Sequence, residues 1–113
     1  MRELERIAEL GALIPVARIL HATRSPLGLP ANPEVAAHYR AVLPTALEVL
    51  DDRLSDGRSF VAGARPTIAD CTLAAAFQFA RFGGVEIDSR LEALARWDRA
   101  YRDRPAARSV LSL

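Results

Sequence analysis

Residues 65–84, "RPTIADCTLAAAFQFARFGG", open on an explicit helix start and then run almost without charge. Thr67 is placed to cap free amides, and Asp70, three residues on, is placed to reach back to the Thr67 amide. That is a capping box with Asp in the position usually held by Glu or Gln. The body "LAAAFQFARF" is apolar nearly all round, the pattern of a helix enclosed by other helices. Gly83 and Gly84 end it, because glycine accepts the left-handed geometry past a helix C-terminus. A helix with so little polar surface needs its free amides satisfied from within, so the chain is expected to be organised around this element.

Working outward, every other segment also reads as helix or loop. A first helix is expected from about Arg2 to about His21. Its middle, "IAELGALIPVARIL", carries only Glu9 and Arg18 as charges, on opposite sides at about 100° per residue, so no continuous polar face forms. Pro15 removes the bond to the Gly11 carbonyl and should kink this helix. "TRSPLGLPAN" reads as a loop. Asn32 as N-cap and Pro33 in the first turn start a second helix, which continues through Pro44 with another kink and stops at Gly57. Downstream of the quoted stretch, a fourth helix is expected from Asp88 or Ser89, carrying Leu91, Leu94, Trp97, Asp98 and Tyr101, and ending before Pro105. "PAARSVLSL" adds a short closing helix. The expected fold is all-α: one domain, residues 1–113, a helical bundle of four main helices plus a short C-terminal helix.

Composition bounds the function. The 113 residues, half of them apolar and about a quarter charged, suit a globular core and argue against disorder. A net charge of +1 gives no reason to expect nucleic acid or an anionic membrane. All basic side chains except the two histidines are arginine, a composition that hints at a GC-rich bacterial genome. The single cysteine, Cys71, has no internal partner, so a cytoplasmic location is expected. "MRELERIAEL" lacks the apolar core of a signal peptide, and no apolar run is long enough to span a bilayer.

"GRSFVAGARPTIADCTLAAAFQFAR", followed by "LARWDRAYRDRPAARSVL", resembles the C-terminal half of bacterial glutathione transferases. The shared features are Phe60 and Gly63, then Thr67 and Asp70 opening the central helix, and Trp97, Arg104 and Pro105 near the close. "ELGALIPVARIL" resembles the first helix of the same domain, so the resemblance covers essentially the whole chain. It implies a glutathione S-transferase C-terminal-like domain without the N-terminal thioredoxin-like domain that carries the glutathione site. A fragment and a natural truncation are both consistent with that expectation. The resemblance also makes Thr67 and Asp70 structural, a folding determinant.

Chemical candidates are few. Cys71 lies near a helix N-terminus, where a thiol is activated, but no histidine neighbours it and a lone cysteine on an apolar helix is expected in the core. His21 and His38 form no metal spacing with Cys71 or with paired carboxylates. His21 is expected to meet the helix terminus or solvent. No catalytic residue and no metal site are expected in this chain. In the family the first helix faces the acceptor-substrate pocket and the neighbouring subunit. By resemblance, Leu10, Ile14, Ala17 and His21, on one helical stripe with Arg18 beside it, line a substrate pocket, with ordinary core or dimer packing as the alternative for each. The implied function is the substrate-binding domain of a glutathione transferase-like protein. Glutathione would be the co-substrate, a small hydrophobic electrophile the acceptor, and the missing domain and a second copy the partners. A non-catalytic protein-interaction or dimerisation module of the same fold is the alternative.

Overall fold

The computed structural model describes residues 2–108 and 110. Among these the regular structure is helical: α1 (Arg2–Ala8), a π-helical segment (Glu9–Leu13), α2 (Ile14–Thr23), α3 (Pro33–Leu54), α4 (Ile68–Gly83), α5 (Glu92–Arg102) and the single turn α6 (Pro105–Arg108). An isolated β-bridge pairs Phe60 with Gly63 in the loop before α4. This is the all-α bundle of four main helices and a short fifth, with α1, the π segment and α2 forming the first of the four. No helix among the described residues is long and apolar enough to cross a membrane.

The expected kink at Pro15 takes a specific form. Proline lacks an N–H, so the ladder loses a bond there. The chain accommodates this with one wide turn just before it, in which the Ile14 amide donates to the Glu9 carbonyl, five residues back. Such a turn inserts an extra residue into the helical period and rotates everything downstream relative to α1. Pro44 behaves differently: α3 runs through it as one helix of 22 residues.

Helix ends follow local chemistry in most places. Asn32 Oδ1 accepts from the Val35 amide at 3.2 Å. Gly84 closes α4 with φ of 70°, the left-handed geometry that favours glycine. α3 ends at Leu54, and Gly57, φ 91°, turns the chain three residues later. The exception is α5, which begins at Glu92 rather than at Asp88 or Ser89. Asp88 instead bonds the Arg90 amide in a local turn, and the α5 start is capped from another element, by Asp51 Oδ1 on α3 accepting from the Leu94 amide at 2.9 Å.

The core joins all the main helices. Ala8, Ala12, Val16 and Ile19 from the first helix meet Leu43, Leu47, Leu50 and Leu54 of α3, Leu73, Ala76, Phe77 and Ala80 of α4, and Leu94 and Trp97 of α5. Two glycines allow backbones to approach closely. A Cβ at Gly11 would collide with the Ala46 methyl of α3, and one at Gly83 would come within 2.6 Å of Leu20 Cδ1. α4 is central but not enclosed on all sides. Ile68, Phe79 and Phe82, at 54%, 43% and 50% exposure, leave one apolar face of it uncovered by the described residues.

Candidate functional site

Asp70, the only fully buried charged residue described, anchors the start of α4. Its Oδ2 accepts from the Thr67 amide at 2.8 Å and the Thr67 hydroxyl at 3.2 Å, and the capping box is formed. Its Oδ1 accepts from the Val61 amide at 2.9 Å and from Trp97 Nε1 at 3.0 Å. One carboxylate therefore ties the loop before α4, the α4 start and α5 together. The Val61 and Trp97 donors are nine and 27 residues away in sequence, so local spacing shows only the Thr67 half. With four donors on two oxygens and no solvent access, Asp70 has a structural role and no free lone pair facing a ligand.

Cys71, expected in the core, is exposed. Its Sγ lies 3.6 Å from the Tyr101 hydroxyl. Tyr101 stacks on Trp97, and the Arg104 guanidinium lies over the Tyr101 and Phe60 rings. Burial, followed by the contact with Cys71, pushes the Tyr101 hydroxyl up to about 12. A phenol held neutral to that pH is no base.

The proposed pocket stripe divides into two. Ala17 and His21 share a groove of about 390 Å³ between α2 and α4. Leu20 forms its floor, Phe79 and Phe82 of α4 its far wall, and Pro26 and Gln78 its edges. Leu10 is elsewhere, in an open groove of about 770 Å³ between α1 and α3 with Ile7, Gly11, Val42, Ala46 and Val49, rimmed by Arg2, Glu3 and Arg6. Ile14 is half-buried and Arg18 is exposed, and neither lines either groove. The cause is the π segment, which adds a residue between Leu10 and Ala17 and breaks the 3.6-residue register on which the stripe rested.

The polar groups of the α2–α4 groove are few. His21 Nδ1 lies 2.9 Å from Ser25 Oγ, which also accepts from the Leu27 amide at 3.1 Å. Gln78 Oε1 accepts from Arg81 Nη2 at 3.3 Å. Arginine only donates, so this contact fixes which end of the Gln78 amide faces it. Among the described residues no carboxylate, serine or cysteine lines the groove. Phe79 and Phe82, absent from the candidates read from the sequence, are three apart and so lie on one face of α4; what hid them was the expectation that α4 is wholly enclosed.

The comparisons with known proteins agree with this architecture. The sequence pattern of the glutathione S-transferase C-terminal domain matches residues 32–102. The crystal structure of Gtt2 from Saccharomyces cerevisiae superposes with a TM-score of 0.84 at 28% identity, over 96% of this chain and 53% of that one. A glutathione S-transferase domain-containing protein from Marinobacter aquaeolei VT8 superposes with a TM-score of 0.81 at 27% identity, over 94% of this chain and 53% of its own. No curated protein sequence matches the chain. The chain thus spans about half the length of the solved structures it resembles. With the family pattern covering more than half of its residues and the bundle superposing on proteins of that class, the chain belongs to the glutathione S-transferase C-terminal domain family.

Proposed function

We propose that this chain supplies the acceptor-binding wall of a glutathione transferase-like protein, holding a small hydrophobic electrophile while glutathione is bound and its thiolate formed by a thioredoxin-like domain. The observation that carries the reading is the α2–α4 groove, where Ala17, Leu20, Phe79 and Phe82 form a largely apolar concavity with two exposed phenylalanines. The role is shape and apolar contact, since the reactive sulfur belongs to the co-substrate. The uncovered face of α4, Ile68 through Phe82, is where a second domain would seat. A cytoplasmic location follows from the single exposed thiol, for which no internal disulfide partner exists.

The chain alone is expected to add nothing to the uncatalysed conjugation of glutathione with a chromogenic chlorodinitrobenzene. The groove itself is tested by titrating that electrophile into the 15N-labelled chain without glutathione. Shifts should cluster at Ala17, Leu20, Phe79 and Phe82, and Phe79→Ala with Phe82→Ala should weaken binding about fivefold or more through lost apolar contact. Shifts confined to other surfaces would refute the assignment.

A specific observation also supports an assembly role. The larger groove between α1 and α3 is apolar, with Leu10, Val42 and Val49 exposed at 60%, 38% and 37%, and it does not coincide with the α2–α4 groove. A second copy of the chain across this face makes the protein a homodimer. That contact is compatible with either a catalytic parent or a non-catalytic interaction module.

A further inference from the structure

The segment between α2 and α3 is tied at its base and unattached beyond it. The Arg24 amide donates to the Leu20 carbonyl and the Asn32 amide to the Ala22 carbonyl, each at 2.8 Å, so both ends are anchored to α2. Ser25 Oγ lies 2.9 Å from His21 Nδ1, close to the first anchor. Above this base every residue from Pro26 to Asn32 is exposed. Among the described residues no hydrogen bond joins residues 26–31 to a helix, and the Leu27 and Gly28 amides both turn back to Ser25. The tip can therefore swing about its base without breaking a bond to the bundle. It also carries unusual side chains for so open a position. Leu27, at 74% exposure, is the most exposed large apolar side chain among the described residues, and Leu29 follows it at 53%. Gly28, with φ of 73°, bends the chain between them, and Pro26 and Pro30 flank the bend with fixed φ, so the tip moves as one piece. Pro26, next to Leu27 in the chain, forms an edge of the α2–α4 groove. Closing over that groove while it is empty would set two leucines above about 390 Å³ without contact atoms beneath them. An apolar molecule in the groove supplies those atoms.

From this arrangement we infer that residues 26–31 form a lid, which closes over the α2–α4 groove when an apolar ligand occupies it and lays Leu27 and Leu29 on that ligand. The inference rests on the reading of this groove as the ligand site. Lid and ligand stabilise each other. The closed state has more apolar contact with the ligand than the open one, and that difference shifts the loop toward closure. Because the leucines touch the ligand only after it has entered, they slow its escape more than its entry.

The test follows the two leucines by their methyl resonances in the full 113-residue chain, with the same chlorodinitrobenzene as ligand and no glutathione present. Without ligand, no NOE is expected between the Leu27 or Leu29 methyls and the Phe79 or Phe82 rings. With ligand, NOEs should join the leucine methyls to the ring protons of the bound molecule. Leu27→Ser with Leu29→Ser changes only exposed loop positions, where the fold should stand unaltered. That variant should release the ligand about fivefold faster or more through lost apolar contact, while the association rate changes far less. Leucine methyls that stay unmoved while Ala17 and Phe79 shift, or an unchanged release rate in the variant, overturn the lid and leave the groove standing. NOEs from the leucines to Phe79 or Phe82 in the ligand-free chain mean a loop already closed, and they overturn it equally. No response from any residue of the groove in the parent chain overturns the groove reading itself.

Discussion

Asp70 shows how much one buried carboxylate can organise. Removing it leaves the Thr67 and Val61 amides and the Trp97 indole N–H without their partner in a site closed to water. Unsatisfied buried donors cost more than the bond they lose. Asp70→Ala is therefore expected to destabilise the fold by about 3 kcal/mol or more, seen as a lower denaturation midpoint. Asp70→Asn should not rescue it, because each carboxylate oxygen accepts from two donors and the amide NH2 would face one such pair. A midpoint for Asp70→Asn equal to that of the parent would contradict this hub. Tyr101 offers a second check at this scale. Its folded-state hydroxyl is raised from 10.0 to about 12, first by burial and then by Cys71. The folded form binds its proton more tightly than the unfolded one, so the Tyr101 contribution is constant below about pH 10 and is lost as pH rises from there to about 12. Phenol absorbance should show one tyrosine titrating near pH 12, and Cys71→Ala should lower that midpoint without returning it to 10.0, since burial remains the larger cause.

Among the elements, the first helix carries the most information. Proline at position 15 dictates a break in the ladder, and the π segment is how the break is closed. The wide turn turns Leu10 to α3 and Ala17 to α4, so one sequence stripe serves two grooves. Gly11 sits inside this turn against Ala46, and the absence of a Cβ is what lets the π segment approach α3. Gly11→Ala raises helix propensity by about 1 kcal/mol, yet it should destabilise the protein by about 1–3 kcal/mol through overpacking. Gly11→Ala combined with Ala46→Gly should recover most of that loss, and a denaturation cycle with no recovery would show that the two positions do not meet. At the other end of the bundle, α5 depends on Asp51 for its cap, so Asp51→Ala should fray its first turn and expose the Leu94 amide to faster hydrogen exchange.

For the whole molecule, the distribution of exposed apolar side chains matters most. Leu10, Val42 and Val49 lie on one side, and Phe79 and Phe82 line the other groove. Two such faces on one bundle fit a protein with two partners, a second copy and a second domain. Sedimentation should show dimers at micromolar concentration, and Leu10→Glu with Val49→Glu should return the chain to monomer without unfolding it. Ile19→Glu separates packing from association: Ile19 is fully buried, so that change should abolish the fold rather than the dimer. Monomers at all concentrations would leave the α1–α3 groove without the second copy proposed for it.

The sequence by itself determined the helices, most of their caps, the central place of α4 and the family resemblance. Those features rest on interactions between residues a few positions apart, such as Thr67 with Asp70 and Asn32 with Val35, or on the periodic apolar pattern that forces a bundle. The stripe read from it through Leu10, Ile14, Ala17 and His21 is not one surface: Ala17 and His21 share a groove that Leu10 does not line. Only the tertiary structure decided what depends on register and distance. The π turn separated Leu10 from Ala17, Asp51 supplied a cap from 43 residues away, and Asp70 gathered Val61 and Trp97. Cys71, read as core from an apolar helix, proved exposed because α4 has a face that the described residues do not cover. Apolar composition says that a face will be buried against something; it does not say whether the partner lies in the same chain.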